Sequence, residues 1–108
     1  MQQITWNTPP TQSLLRAILK LNTTDEAKRF FRDLLTPEEL VEFGKRWQAA
    51  QMLNKKIPYS SIVKKTKLSS TTVARVSKWL TRGMGGYKLM LNRLAEHRHT
   101  FSSFEKGL

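Results

Sequence analysis

The chemistry of this chain is concentrated in residues 59–82, YSSIVKKTKLSSTTVARVSKWLTR, where hydroxyls and cations recur on one helical flank. Ile62, Val63 and Thr66 repeat at three-to-four spacing, Leu68 follows, and Val73, Val76 and Leu80 repeat again. Such stripes belong to two helices that each bury one side. Ser69 or Ser70 between them can cap the second helix, because a hydroxyl accepts a bond from the free amides of the next turn. At about 100° per residue, the second stripe leaves Thr71, Ala74, Arg75, Lys78 and Arg82 on the opposite face. Small polar side chains leading into cations suit a helix that approaches base edges while its flanks hold phosphates. The pattern predicts a helix-turn-helix over 59–82, with the second helix as the reader. Ser70, Thr71, Ala74 and Arg75 are its base-reading candidates. Tyr59, Ser60, Lys64, Lys65, Lys67, Lys78 and Arg82 are its candidates for holding the DNA backbone. An ordinary helical hairpin with a solvated basic side would carry the same stripes, and the turn Lys67-Leu68-Ser69 lacks the glycine common in this motif.

Charge separates the two readings. The 108 residues carry a net charge of +11. Six of the eight acidic residues fall between Asp25 and Glu42, and none lies between Phe43 and Ala95, where twelve Lys and Arg are found. A merely soluble surface intersperses both signs. A basic half without acids attracts polyanions by phosphate contact and counterion release, which points to nucleic acid, and the helix-turn-helix makes double-stranded DNA the expected partner. A membrane surface fits less well, since no basic segment carries a continuous aromatic-rich apolar face. There is no cysteine for a disulfide framework or thiolate metal site. No stretch reaches the roughly 18 to 20 apolar residues of a membrane span, and MQQITWNTPP lacks the regions of a signal peptide, so a cytoplasmic protein is expected. His97 and His99, without carboxylate partners, make a poor metal site. No nucleophile elbow, P-loop or dinucleotide fingerprint occurs, and Glu38 and Glu39 are explained by helix capping. No enzyme and no metal are expected.

The remaining elements position the motif. Residues 1–10 read as a flexible arm, because the Pro9-Pro10 pair disfavours helix there. Thr11 caps a first helix bearing Leu14, Leu15, Ile18, Leu19 and Leu21. Thr23 with Glu26 forms a capping box before a second helix with Ala27, Phe30, Phe31, Leu34 and Leu35 on one side. Thr36-Pro37-Glu38-Glu39 is the strongest helix start in the chain, and a long helix runs from it to about Asn54, with Leu40, Phe43, Trp47, Ala50 and Leu53 inward. Gly83 closes the reading helix as a C-cap. Gly85-Gly86 precedes a last helix with Tyr87, Met90, Leu91 and Leu94. Periodicity is lost from about His97, so 97–108 reads as a frayed tail. The result is an all-α domain of six helices over 11–96. Its aromatic N-terminal helices carry more apolar surface than so short a chain readily buries, which favours dimerisation.

The runs Leu34-Leu35-Thr36-Pro37-Glu38-Glu39, Gly44-Lys45-Arg46 and Thr72-Val73-Ala74-Arg75-Val76-Ser77 occur in that order. Lys78-Trp79-Leu80 and Gly83-Met84-Gly85-Gly86-Tyr87-Lys88-Leu89 follow. Together, from about residue 11 to 96, they resemble the tryptophan repressor (TrpR) family, most closely its uncharacterised TrpR-like YerC/YecD branch. The resemblance implies a six-helix intertwined homodimer whose helix-turn-helix units meet successive major grooves. It also implies an effector pocket between the long helix and the reading helix, with Arg46 and Arg75 flanking an indole and Thr36 and Thr72 beside them. Two positions depart from the family: its glycine after the second arginine is Val76 here, and a serine three residues beyond is Trp79. Both reduce the space for a ligand. L-tryptophan is therefore not expected to bind, no cofactor is expected, and Arg75 is assigned to DNA.

These observations lead to a sequence-specific DNA-binding transcriptional regulator, a repressor acting as a dimer. Two alternatives stand beside it. One is an architectural nucleic-acid binder of low specificity, with similar affinity for any duplex and a steep salt slope. The other is a basic protein-interaction module with no DNA affinity even at low salt.

Overall fold

A computed structural model describes residues 6–106, with side chains described over 6–96. The chain forms two compact units, Met1–Leu40 and Val41–Leu108. Among the described residues there are six helices and no strand, as the all-α reading expects.

In the first unit, α1 spans Pro9–Ile18 and α2 spans Thr24–Leu34. The helix α1 starts two residues before Thr11, inside the segment read as an arm. Pro9 and Pro10 occupy its first positions, where a missing N–H costs nothing and the fixed φ is already helical. Thr8 before them is extended, at φ −70° and ψ 143°, as a residue preceding proline must be. Residues 1–5 of the expected arm lie outside the described residues. At α2, the Thr23 hydroxyl accepts from the Glu26 amide (3.1 Å), while the Glu26 carboxylate accepts from the Asn22 amide (2.9 Å). The reciprocal cap thus reaches one residue further back than the expected box. Phe30 and Phe31 meet edge to face, with centroids 5.5 Å apart. No residue of α1 or α2 is buried.

The long helix α3 spans Pro37–Asn54. Its capping box is complete: the Thr36 hydroxyl accepts from the Glu39 amide (3.1 Å), and Glu39 accepts from the Thr36 amide (2.9 Å). The Thr36 amide, and after it the Thr36 hydroxyl, hold the exposed Glu39 carboxyl below its ordinary range. At the other end, the Lys56 amide donates to Leu53 O (3.0 Å) and the Ile57 amide to Met52 O (3.1 Å). This is a Schellman closure, with Lys56 in the left-handed region at φ 64°.

The core of the second unit joins Ala49 and Ala50 of α3 to Ile62, Leu68, Val73 and Val76. Ile62 belongs to α4 (Tyr59–Thr66), and the two valines to α5 (Ser70–Arg82). Ser69 caps α5, its hydroxyl accepting from the Thr72 amide at 3.1 Å. The turn between α4 and α5 dispenses with glycine because Lys67 itself takes the left-handed conformation, φ 67°, at a cost of about 1 to 2 kcal/mol. Thr66 compensates. It is 2% exposed, and its hydroxyl donates to Ile62 O (2.7 Å) while accepting from the Leu68 amide (3.2 Å). One side chain thereby ties the last turn of α4 to the first residue beyond the bend. Thr66→Val keeps the volume but leaves the buried Leu68 amide without a partner. It is expected to destabilise the fold by about 1 to 3 kcal/mol in urea unfolding, with Thr66→Ser closer to wild type.

Gly83 ends α5 in extended backbone (φ −82°, ψ −156°), not in the left-handed cap that the sequence suggests. Its amide still donates to Trp79 O (2.9 Å), and a Cβ there would strike that carbonyl. Close approach, not a positive φ, requires glycine at this point. The left-handed glycine is Gly85, φ 84°, just before α6 (Gly86–Lys106). The helix α6 continues through 97–106, where fraying was expected. Loss of an apolar stripe does not itself break a helix, and no Gly or Pro lies between Tyr87 and Lys106 to interrupt the backbone ladder. Tyr87 stacks on Trp47 of α3, with centroids 6.2 Å apart and planes at 23°.

Candidate nucleic-acid interface

Packing fixes the roll of α5. Val73, Val76 and Leu80 are buried, so the remaining sides of the helix turn outward. Ser70, Thr71, Ala74 and Arg75 are all exposed, as are Lys78 and Arg82 further along the helix. Tyr59, Ser60, Lys64 and Lys65 are exposed on α4, and Lys67 is exposed in the turn. Every residue assigned from the sequence to base reading or backbone contact is therefore accessible. Those on α5 share a surface opposite its buried stripe.

The electrostatics reinforce this. Among the described residues the ion pairs are Arg29–Asp25 and Arg46–Glu42. None of the six cations of α4, the turn and α5 faces a carboxylate. Uncompensated like charges on one helical pair raise the local potential and attract anions. The Lys78 ammonium lies 5.6 Å from the centre of the Trp79 ring, and that indole is 49% exposed.

The residues assigned to an effector pocket fare differently. Thr36 is engaged in the cap of α3. Arg46 bonds Glu42 on its own helix (Nε to Oε2, 3.1 Å) and lies over the Phe43 ring at 5.8 Å, so its charge is already balanced. Thr72 belongs to the cap of α5, accepting from the Ser69 hydroxyl at 2.9 Å. Arg75 is on the exposed side. Val76 is 2% exposed and packed in the core with Ala49 and Ala50, where its side chain lines no open slot. Its branched carbons follow the same inward stripe as Val73 and Leu80.

Two contributors were missed in the sequence. Thr66 was counted as part of an apolar side, whereas its hydroxyl is the staple of the turn. A threonine ending a helical stripe just before a glycine-free bend is the signal that could have revealed it. Lys56, just past the expected helix end at about Asn54, was not singled out. Among the described residues no group of His, Asp and Glu could hold a metal ion; the side chains of His97 and His99 lie outside them. No described helix is long and apolar enough to cross a membrane.

Comparison with known proteins agrees with this geometry. The family model of the Trp repressor protein matches residues 10–95. The uncharacterised protein YerC of Bacillus subtilis (strain 168) is 34% identical over 90 residues, spanning 83% of this chain and 86% of its own length. A TrpR-like protein of Eubacterium eligens ATCC 27750 shares the fold with a TM-score of 0.80 and 36% identity, over 83% of this chain and 93% of that one. A candidate Trp repressor of Staphylococcus aureus gives 0.78 and 30%, over 82% and 89%. The six-helix fold is thus shared with solved TrpR-like structures, and the chain belongs to the Trp repressor protein family.

Proposed function

We propose that this protein is a sequence-specific DNA-binding transcriptional regulator that represses by occupying its operator as a homodimer, without requiring L-tryptophan. The observation that carries the reading is the exposed side of α5, where Ser70, Thr71, Ala74 and Arg75 stand clear of the core and, among the described residues, no carboxylate pairs with the cations beside them. The likeness to proteins named for the Trp repressor supports it. With the first half of α5 in the major groove, the Arg75 guanidinium can bond guanine O6 and N7 together. The hydroxyls of Ser70 and Thr71 can bond base edges, and the Ala74 methyl can meet a thymine methyl. Lys64, Lys65, Lys67, Lys78 and Arg82 neutralise phosphates and release counterions. Tyr59 and Ser60, at the start of α4, add neutral backbone contacts.

The test is selection of a preferred duplex from a random pool, followed by affinity measurement against a scrambled duplex. A specific regulator should prefer its site by about 10³-fold or more. Equal affinities with a steep salt slope would favour the architectural binder, and no binding at low salt the protein-interaction module.

Tryptophan independence rests on Val76 and Trp79. Admitting an indole beside a buried branched side chain forces volume into a packed site, which costs about 1 to 3 kcal/mol; 1.4 kcal/mol is already tenfold in affinity. Saturating L-tryptophan is expected to change operator affinity by less than about twofold. Micromolar binding by calorimetry that also tightens the DNA complex would overturn this.

A further inference from the structure

We propose that Lys56, acting with Lys67, clamps duplex phosphates at the two ends of α4, a positioning role that rests on the DNA-binding reading above. Among the described residues, only these two non-glycine residues have positive φ, 64° and 67°. One stands just ahead of α4 and the other just after it. Both close a helix in the conformation where glycine is the usual residue, because it carries no Cβ to clash. The closing bonds are made by backbone: Lys56 to Leu53, Ile57 to Met52, and Lys67 to Val63. Glycine would keep every one of them and remove the strain. At the other left-handed position, Gly85, the chain does use glycine.

The fold gains no visible return from the two lysine side chains. Both are exposed, and neither appears in an ion pair or cation–π contact among the described residues. Strain retained at exposed positions points to function, and what these side chains add is charge. They add it where no acid occurs from Phe43 to Ala95 and where Lys64 and Lys65 already lie on the helix between them. The eight residues of α4 make it about 12 Å long. Two ammonium groups at its ends suit a partner with charges repeated along a line, and phosphates on one DNA strand advance 3.4 Å per nucleotide along the axis.

The experiment compares the full-length wild type with Lys56→Gly, Lys67→Gly, Lys56→Arg and a distant control, Lys20→Gln. Thermal unfolding and duplex affinity are measured between about 50 and 200 mM salt. Each glycine variant is expected to melt higher by about 2 to 5 °C yet bind DNA more weakly. Its loss of affinity across that salt range should be about 3.5-fold smaller than that of wild type, the effect of one phosphate contact fewer. Lys56→Arg should keep the wild-type salt dependence, and Lys20→Gln should not flatten it. Higher melting with unchanged DNA binding would overturn the clamp, and so would lower melting of the glycine variants or equal flattening by Lys20→Gln. A wild type that binds no duplex at low salt would instead overturn the DNA-binding reading on which the clamp depends.

Discussion

Arg75→Ala is expected to weaken binding to the preferred duplex by about 5- to 150-fold, or about 1 to 3 kcal/mol, while changing affinity for random DNA far less. The asymmetry follows from what each exposed side chain of α5 can touch. A guanidinium on the outer side of the first half of the helix can make two parallel bonds to one base, and losing them removes discrimination at that base pair. Thr71→Ala should act in the same sense. Lys78→Ala or Lys65→Ala should instead weaken all duplexes together and flatten the salt dependence by about one charge. Competition assays with preferred and scrambled duplexes separate the two classes. If all four variants lose both duplexes equally, α5 does not read sequence and the low-specificity reading prevails.

Sedimentation at micromolar concentration is expected to give about twice the 12.5 kDa chain mass. The first unit motivates this. Residues 6–40 contain no buried position, although α1 and α2 carry Leu14, Ile18, Phe30 and Phe31 on apolar sides. Leu19 is 82% exposed, and Trp6, Leu15 and Leu34 are each more than two-fifths exposed. Apolar surface of that extent marks an interaction site, and the occupant proposed for it is a second copy of the chain. Leu15→Asp combined with Leu19→Asp is expected to yield monomers that reach one half-site only. Operator affinity should then fall by about 10² to 10⁴-fold, the effect of losing linked binding. A folded wild-type monomer at micromolar concentration would overturn the dimer and with it the docking of two helix-turn-helix units in successive major grooves.

Much of the reading element was legible before any coordinates, because its determinants are local. The stripe Val73, Val76, Leu80 dictates the roll of α5, and the Ser69 and Thr36 caps mark their helix starts by residue type alone. What was missed depends on competing local rules or on backbone angles that sequence does not display. Pro9-Pro10 satisfies the rule that proline disfavours helix in the residue before it and also the rule that proline opens a helix; the second prevails here. Nothing about Lys56 or Lys67 announces a left-handed backbone, since lysine is not selected for that conformation. Gly83 was correctly placed at a helix end, but its requirement comes from the Trp79 carbonyl, a contact seen only once the chain is folded. For the effector residues, the identities of Arg46 and Arg75 were visible. The Glu42 partner that occupies Arg46 was not singled out.

The uneven distribution of burial has a genetic consequence. Among the described residues the buried apolar side chains lie between Ala49 and Leu80, so the second unit brings its own interior, while the interior proposed for α1 and α2 is a second copy. In the proposed dimer, completing the N-terminal half is a second-order process. When the chain is scarce, operator-competent protein rises with the square of its concentration, so halving synthesis leaves about a quarter of it. Expression level then sets a threshold for repression. An allele with intact α1 and α2 but without Arg75 would draw normal chains into pairs with one blind half, and its defect would be dominant over the wild type.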